Sequence, residues 1–343
     1  MKRLFILVLV AFAFSLEASF ECTFKFFAGS ANPMLAKEVA NYLGVPLSRA
    51  KIGRFNDGEI QIQLEESVRN CNVYILQSSC PTNDASVNDS IVELYLLVRT
   101  LKRASAQSVT AIIPYFGYAR QDRKNKSRVP ISASDIAMLL ELAGVDHVIS
   151  VDLHCGQIQG FFHRAPVDNL YAAQVFVPYF LTKKDLEKLV VVSPDAGGVE
   201  RTKQFLDTLN FHGVPAQLAM IVKQRKEAGV VEKMDLVGSV QGSDVIIVDD
   251  LCDTAGTLVA AASELKQKGA KRVYACITHP VFSGNALNKV AHSVIDELVI
   301  TDTIPLRATA PSNITQLSIA PLLAETIKRA YNGQSVSNLF VTN

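Results

Sequence analysis

The chain has 343 residues, with 34 lysines and arginines against 33 aspartates and glutamates, so its formal charge is +1 at pH 7. This length predicts two domains of ordinary size, each able to bury its own core. The balanced charge argues against a general nucleic-acid-binding surface, and we expect no nucleic-acid partner. The six cysteines show no zinc-ligand spacing, which favours free thiols in a reduced compartment.

The first 22 residues form a hydrophobic leader or N-terminal extension. Two basic residues, Lys2 and Arg3, precede an apolar run at residues 4–14, which is typical of a secretory signal peptide and too short to span a bilayer. A genuine targeting leader, a start codon placed too far upstream, and an extension that packs on the domain all fit this pattern. We expect no stable membrane insertion.

Apolar runs typical of strands alternate with helical periods from residue 23 onward, which predicts an α/β fold with mainly parallel sheets flanked by helices. The predicted strands are residues 73–76, 109–113, 147–151, 189–192, 245–248, 273–277 and 298–300. The predicted helices are one between Val87 and Leu101, one opened by a capping box of Ser132 and Asp135 and ended by Gly144, one at residues 257–268, and one at residues 321–331.

Two α/β units lie in tandem along the chain. We expect an N-terminal domain at residues 23–168, a C-terminal domain at residues 169–310, and a helix and tail at residues 311–343 that return to cover the N-terminal domain. No low-complexity linker separates the two units, so we expect them to pack tightly.

An aromatic residue opens an acidic turn at residues 55–59. Phe55 is able to stack on a purine, and Asp57 and Glu59 are able to accept hydrogen bonds from an exocyclic amino group. The Asn-Asp-Gly sequence within it is also a strong signal for an ordinary hairpin turn. Both interpretations stay open on this segment alone.

A cluster of positive charge follows the strand predicted at residues 109–113. It contains Arg120, Arg123, Lys124, Lys126 and Arg128, interrupted by Gln121 and Asp122. Crowded cations repel one another unless an anion or solvent compensates them, and a solvated loop is the common explanation. The carboxyl end of a strand is, however, where α/β proteins bind ligands, and a nucleoside triphosphate matches the charge.

Polar residues follow two other predicted strands. His154 comes after the strand at residues 147–151, and Asp195 comes after the strand at residues 189–192, ahead of a glycine-rich helix start. Mg²⁺ prefers oxygen ligands and keeps several waters, so one aspartate plus substrate phosphates suffices, with an imidazole as an occasional partner. A lone histidine is more often structural, and the spacing does not show whether these two residues meet.

Two cations alternate at residues 221–226. Lys223 and Arg225 lie on one face of an extended segment. They are suited to neutralising charge on a transferring phosphoryl group, and the same pattern fits a basic exposed hairpin.

The most informative segment is residues 245–257. Four apolar residues predict a buried parallel strand that ends at Asp249 and Asp250, before a short loop and a helix. The loop consists of Asp253, Thr254, Ala255, Gly256 and Thr257. Its backbone N–H groups are placed to bind a phosphate at the positive end of the helix. Because Asp249 and Asp250 share the sign of a phosphate, we expect them to accept hydrogen bonds from ribose hydroxyls, directly or through a metal ion, unless they merely cap the helix.

These segments together resemble the ribose-phosphate diphosphokinase (phosphoribosyl pyrophosphate, PRPP, synthetase) family along residues 24–340. The matching motifs are Phe-x-Asp-Gly-Glu, Tyr-Ala-Arg-Gln-Asp-Arg, Asp-Leu-His, Gln-Ile-Gln-Gly-Phe-Phe, Ser-Pro-Asp-x-Gly-Gly, Lys-x-Arg, Asp-Asp-x-x-Asp-Thr-x-Gly-Thr and the tail at residues 334–340. The resemblance implies two tandem phosphoribosyltransferase-like domains, the first contributing to ATP recognition and the second carrying the sugar site. It also implies transfer of the β,γ-diphosphoryl group of ATP to O1 of D-ribose 5-phosphate, giving AMP and PRPP for nucleotide biosynthesis.

The resemblance also assigns roles to particular residues. ATP recognition falls to Phe55, Asp57, Glu59, Arg120, Gln121 and Asp122. The ribose 5-phosphate site falls to Asp249, Asp250, Asp253, Thr254, Ala255, Gly256 and Thr257. Mg²⁺ is implied at His154 and Asp195, and catalysis at Lys223 and Arg225.

A regulatory site is implied more weakly. Ser67, Arg69 and Arg128 match anion-site positions of the phosphate-activated, ADP-inhibited class, whose members are homohexamers. Inorganic phosphate and ADP are therefore expected effectors. The chain departs from the family pattern by an added residue within residues 162–166 and by Asn338 in place of a usual tyrosine.

Two other functions compete with this interpretation. A type I phosphoribosyltransferase that consumes PRPP shares the signature at residues 249–257, but it leaves Phe55, Arg120 and Lys223 without a joint explanation. A non-catalytic regulatory subunit associated with the synthetase is expected to have lost charged site residues, and none is lost here. The substrates favour the cytoplasm, with an organelle or export as the alternative if the leader is genuine.

Overall fold

The computed structural model of the chain describes residues 24–227 and 230–340, without the side chains of residues 223–227 and 230–233. The leader predicted at residues 1–22 therefore lies outside the described residues. The elements up to residue 170 are β1 (Phe24–Ala28), α1 (Pro33–Leu43), β2 (Ala50–Arg54), β3 (Ile60–Leu64), β4 (Asn72–Leu76), α2 (Val87–Arg103), β5 (Ser108–Ile113), α3 (Ser132–Ala143), β6 (His147–Val151) and β7 (Val167–Leu170). Those that follow are α4 (Ala173–Leu181), β8 (Val190–Ser193), α5 (Val199–Phe211), β9 (Gln217–Glu227), β10 (Val230–Val237), β11 (Asp244–Cys252), α6 (Gly256–Gln267), β12 (Arg272–Pro280), α7 (Ala286–Ala291), β13 (Glu297–Thr301), β14 (Ile314–Leu317) and α8 (Ala320–Tyr331).

Two separate sheets organise the chain. The first has the strand order β1-β4-β5-β6-β7 and is parallel throughout. The second has the order β10-β9-β8-β11-β12-β13-β14 and is parallel except for β10, which pairs antiparallel with β9. The strands β2 and β3 form a separate antiparallel hairpin. The predicted α/β fold and all seven predicted strands are confirmed.

One hydrophobic core joins the two halves. It contains Phe26 and Ile112 from the first sheet, Ile246 and Val299 from the second, and apolar residues of α1, α4, α5 and α8. Separate cores cover the outer faces, one against α2 and α3 and the other against α6 and α7. Strands buried on both faces explain the continuous apolar runs in the sequence. The shared core fixes the carboxyl edges of the two sheets relative to each other.

Hydrogen bonds also connect those edges. Asn32 Nδ2 donates to the carbonyl of Asp302 at 2.7 Å, and Ser78 Oγ donates to the carbonyl of Thr303 at 2.6 Å. Helix α8 packs on α1 at the same interface. The loop after β13 is therefore hydrogen-bonded to the loops after β1 and β4.

Two local predictions need correction. The capping box of Ser132 and Asp135 is wrong, because Ile131 occupies the N-cap position without a side-chain hydrogen bond and the Ser132 hydroxyl donates to Gln121 instead. Gly144 ends this helix as predicted, with φ 104°. Strand β11 does not end at Asp249 but continues to Cys252, because its last residues pair with an equally long β12.

The described cysteines are all free, as predicted: Cys71, Cys80, Cys155, Cys252 and Cys276. Burial raises the pKa of Cys252 to about 12, so its thiol stays protonated near neutral pH. Among the described residues, no helix is both long enough and apolar enough to cross a membrane.

Candidate active site

A cavity of about 1080 Å³ lies where the carboxyl edges of the two sheets meet. It brings together residues that follow β5 and β6 in the first sheet and β8 and β11 in the second, as parallel α/β sheets require of a shared ligand site. The predicted site residues that line it are Arg120, Gln121, Asp122, His154, Asp195, Asp249, Asp250, Asp253, Thr254, Ala255, Gly256 and Thr257. Residues 41 positions apart, His154 and Asp195, thus share one cavity.

The turn after β2 is not part of the cavity lining. Phe55 is 50% exposed at the tip of the β2–β3 hairpin, and its N–H donates to the carbonyl of Glu59 at 2.8 Å. The Asp57 carboxylate accepts the N–H of Glu59 at 3.0 Å. This is the hairpin turn that Asn-Asp-Gly indicates, and a nucleotide role for it stays a prediction.

The three predicted regulatory residues are exposed and lie outside the cavity lining. Ser67 and Arg69 are neighbours just after β3, where the Arg69 N–H donates to the Ser67 hydroxyl at 3.4 Å. Arg128 has φ 61°, in the left-handed region. Their role as an anion site stays a prediction.

The two predicted catalytic cations lie on β9. Lys223 pairs in register with Met234 of β10, and Arg225 with Val231. Their side chains are outside the described part of the chain, whereas the preceding residue, Val222, lines the cavity. Strand β9 therefore borders the cavity at Val222, immediately before Lys223.

The loop at residues 253–257 presents an uncapped helix start to the cavity. Helix α6 begins at Gly256, and Ala255 holds the N-cap position with φ 61° and no side-chain hydrogen bond. Since the N-cap residue has no side chain that caps the helix, the N–H groups of the first turn are available to an anion, where the helix dipole favours negative charge. Lys289 Nζ donates to the Thr254 carbonyl at 3.0 Å and holds the loop from behind.

The two aspartates of β11 are in different environments. Asp250 is 3% exposed, and its Oδ2 lies 2.8 Å from His154 Nδ1. Asp249 is less buried, and its Oδ1 accepts the N–H of Asp250 at 3.0 Å. Burial and the neighbouring Asp250 charge raise the pKa of Asp249, while Arg201 and His154 outweigh burial and lower that of Asp250. Both aspartates line the cavity, and Asp249 is the more exposed of the two.

An ion pair spans the cavity between the two halves. Arg120 Nη1 lies 2.8 Å from Asp253 Oδ2, which joins the predicted nucleotide cluster to the predicted sugar-phosphate loop. The Arg120 side chain is 57% exposed, so solvent screens this pair strongly. A phosphate group entering the cavity is able to compete for the same guanidinium.

Arg201 is a cavity residue that sequence reasoning missed. Its Nη1 lies 3.2 Å from Asp250 Oδ1 and 3.6 Å from Asp249 Oδ1, and its Nη2 donates to the His154 carbonyl at 3.3 Å. A cation in the first turn of α5 opposes the helix dipole. This unfavourable placement, six residues after Asp195, was the signal in the sequence.

The cavity lining fits a hard divalent cation held with water and phosphate ligands. Among its described residues, carboxylates outnumber guanidinium groups, and the candidate donors are the carboxylate oxygens of Asp195 and Asp249 and the imidazole of His154. Asp195 also caps the short helix that follows it, accepting the N–H groups of Gly197 and Gly198 at 3.0 and 3.2 Å. Among the described residues, no three acidic, histidine or cysteine side chains are placed to hold a metal ion by themselves.

Two mainly parallel sheets share one cavity, and the second sheet contributes a carboxylate pair and an uncapped helix start to it. This architecture is that of the phosphoribosyltransferase-like α/β class. Family models give the particular group. Residues 24–144 match the N-terminal domain of ribose phosphate pyrophosphokinase, and residues 186–341 match the phosphoribosyl synthetase-associated domain.

Relatives extend this match over the described chain. The chain is 51% identical over 318 residues to the ribose-phosphate pyrophosphokinase of Wolinella succinogenes and 49% identical over 318 residues to that of Campylobacter jejuni, in each case covering 93% of this chain and 99% of the relative. The crystal structure of phosphoribosylpyrophosphate synthetase from Mycobacterium smegmatis is similar with a TM-score of 0.82 and 40% identity, covering 91% of this chain and 99% of the other. The chain belongs to the ribose-phosphate pyrophosphokinase family.

Proposed function

We propose that this protein is a ribose-phosphate pyrophosphokinase that transfers the β,γ-diphosphoryl group of ATP to O1 of D-ribose 5-phosphate, giving AMP and PRPP for nucleotide biosynthesis. The observation that carries the proposal is the match to enzymes of this name along nearly their whole length, at about half of all positions. If the protein were a phosphoribosyltransferase or a regulatory subunit, the charged residues in both halves of the cavity would have no explanation.

Ribose 5-phosphate binds at the second sheet in this proposal. The 5-phosphate lies on the N–H groups of residues 253–257 at the start of α6, and the hydroxyls of the ribose donate to Asp249. The uncapped helix start and the partial exposure of Asp249 support this orientation. Asp250 supports the site from below through its contacts with His154 and Arg201.

ATP binds on the opposite side of the cavity. Arg120 exchanges its exposed partner Asp253 for a phosphate, while Gln121 and Asp122 line the same wall. A charge-assisted bond to a phosphate is stronger than a screened surface ion pair, so the exchange is favourable. His154 and Asp195 would hold Mg²⁺, which supplies charge neutralisation for the phosphates when bound.

In the reaction, the proton of the sugar O1 passes to solvent and O1 forms a bond to the β-phosphorus. The bond from that phosphorus to the AMP oxygen breaks at the same time, and its electron pair stays on the departing AMP. Charge develops on the transferred group and the departing oxygen, so fixed cations lower the barrier. Lys223 and Arg225 are the proposed source of this charge. The course of β9 beside the cavity at Val222 supports their assignment.

Assembly, regulation and location extend the proposal. Because the exposed Phe55 turn does not line the cavity of its own chain, a homo-oligomer, a hexamer by resemblance, would allow this turn to contact ATP in a neighbouring subunit.

Phosphate and ADP would act on the exposed site at Ser67, Arg69 and Arg128. The substrates support action in the cytoplasm, and mass spectrometry of the mature N-terminus tests the leader at residues 1–22.

An assay with ATP, Mg²⁺ and ribose 5-phosphate tests the activity. We expect AMP and PRPP in equal amounts, and a turnover reduced by about 10² to 10³ in Lys223→Ala, the usual scale for losing one charge-stabilising donor. The matched control is Lys203→Ala, which removes an exposed lysine from α5 and is expected to keep parental turnover. Parental turnover in Lys223→Ala would remove Lys223 from the mechanism, and release of ADP instead of AMP would contradict the proposed reaction.

A further inference from the structure

The Arg201 side chain connects three segments that form the floor of the cavity. It begins on α5, contacts both aspartates of β11 through Nη1, and donates from Nη2 to the His154 carbonyl after β6. The side chain is only 14% exposed. One guanidinium group therefore ties the second sheet to the first directly below the candidate ligand positions.

The charge around Arg201 is strongly one-sided. Its guanidinium acts on four carboxylates: Asp152, Asp195, Asp249 and Asp250. Adjacent buried carboxylates repel each other at short range, and an isolated buried charge is costly. Without Arg201, the pair on β11 would have to separate, take up a proton or admit water.

Arg201 has little freedom to leave this position. A second void of about 10 Å³, close to the volume that holds one water, lies beside it and is walled by Asp152, Gln204 and Thr278. Asp152 is fully buried there and accepts hydrogen bonds from the Thr278 hydroxyl and from the Ala172 N–H at 3.3 Å. On the side away from the main cavity, the guanidinium is thus enclosed by the walls of this small void. On the other side it contacts Asp249 and Asp250.

We propose that Arg201 is a positioning residue that binds no substrate itself and acts through Asp250. It fixes Oδ1 of Asp250 while His154 fixes Oδ2, so that Asp249, the neighbour of Asp250, is held at the angle at which it accepts the ribose hydroxyls. This inference rests on the proposed function. It predicts that loss of Arg201 weakens ribose 5-phosphate binding before any chemistry takes place.

The test is a double-mutant cycle on the dissociation constant for ribose 5-phosphate, measured by calorimetry on the full chain. Arg201→Met is expected to weaken binding by about 10-fold to 100-fold, the range found for residues that orient ligating groups. In an Asp250→Ala background, which removes both oxygens that Arg201 and His154 contact, the same substitution is expected to weaken binding less than threefold, because its route of action is already broken. Arg201→Lys, which keeps the charge but loses the fork, is expected to bind with intermediate affinity.

Controls separate positioning from other effects. Lys203→Met, which removes a charge from the exposed side of the same helix, is expected to bind like the parent in both backgrounds. If circular dichroism shows that Arg201→Met does not fold, Arg201→Lys is compared with the parent in the presence and absence of Asp250→Ala, and this comparison decides the question. Parental affinity in the folded Arg201 variant, or equal losses in both backgrounds, overturns the inference. A parental protein that does not bind ribose 5-phosphate overturns the proposed function, and the inference with it.

Discussion

His154 Nδ1 and Asp250 Oδ2 are 2.8 Å apart, although they belong to different sheets. The imidazole follows β6 in the first sheet, and the carboxylate lies on β11 in the second. When the neutral ring donates from Nδ1, its Nε2 lone pair is left for a ligand, as in histidines that a carboxylate orients toward a metal. The contact thus links the geometry of the sheet interface to the chemistry of the cavity.

The first prediction concerns the pKa of His154. Its hydrogen bond to Asp250 raises this pKa against the opposing effect of burial, so Asp250→Asn is expected to lower it. Titration of the ¹⁵N-labelled imidazole by NMR measures the change. Asp168→Asn, which removes the carboxylate that pairs with His147 at the start of β6, is the matched control and should leave the His154 signal unchanged. An unchanged His154 pKa in the variant would show that the two side chains do not interact in solution.

The second prediction concerns stability and pH at His279. This histidine is 2% exposed between the sheets, and burial lowers its pKa from the ordinary 6.5 to about 4. Between pH 6.5 and about pH 4, His279 is protonated in the unfolded chain but not in the folded protein. The free energy of unfolding therefore falls as the pH falls through this window, by at most about 3 kcal/mol from this residue.

Urea denaturation between pH 7.5 and 4.5 tests this sign. His279→Gln keeps polar contacts toward Thr303 and the Asp152 carbonyl and is expected to flatten the loss of stability at low pH. His292→Gln, at an exposed histidine, is expected to leave the slope unchanged. A His279→Gln protein that loses stability as steeply as the parent would mean that His279 is already charged in the folded state.

The third prediction separates the two roles of Arg120. Its exposed ion pair with Asp253 is expected to contribute less than about 1 kcal/mol to folding, whereas a phosphate contact typically contributes about 1.5 to 3 kcal/mol to binding. Arg120→Ala should therefore keep the parental urea midpoint and raise the KM for ATP about tenfold or more. Arg329→Ala, which breaks a surface pair with Glu325 at 2.7 Å, is the matched control and should change neither quantity much. An unchanged KM for ATP would exclude Arg120 from the nucleotide site.

The fourth prediction tests close approach of a phosphate to Gly256. A Cβ added at this glycine would meet only Thr254 Oγ1 at 3.9 Å, so the protein itself has room for Gly256→Ala. Alanine also favours the helix, and stability should be equal or higher by up to about 1 kcal/mol. The methyl group would occupy the space of the ligand, so we expect a KM for ribose 5-phosphate raised at least tenfold. Gly160→Ala, where a Cβ meets nothing within 4 Å away from the cavity lining, is the control. A parental KM in Gly256→Ala would place the phosphate elsewhere.

The sequence predicted the central strands well because they are buried on both faces and read as continuous apolar runs. It also placed polar residues after several strands, at the edge where α/β proteins bind ligands, but it did not show which of these residues meet. It did not predict the length of β11 past Asp249, because that depends on pairing with β12. The Ser132 hydroxyl was assigned to a cap, but a tertiary partner, Gln121, competes for it.

The ion pairs across the cavity likewise could not be predicted from the sequence. Arg201 lies 49 positions before Asp250, and Arg120 lies 133 before Asp253, so the sequence does not show which residue either arginine contacts. Physical coupling of this kind depends on the shared core that brings the two sheets together.

The central claim is that one cavity joins ATP to ribose 5-phosphate by attack of the sugar oxygen on the β-phosphorus. The most direct measurement uses ribose 5-phosphate labelled with ¹⁸O at O1 and follows the products by ³¹P NMR and mass spectrometry. We predict AMP and PRPP in a one-to-one ratio. The label should be retained in PRPP, in the oxygen that bridges C1 and the phosphorus atom that was the β-phosphorus of ATP. Loss of the label from PRPP, or formation of ADP with a sugar monophosphorylated at C1, would contradict the account.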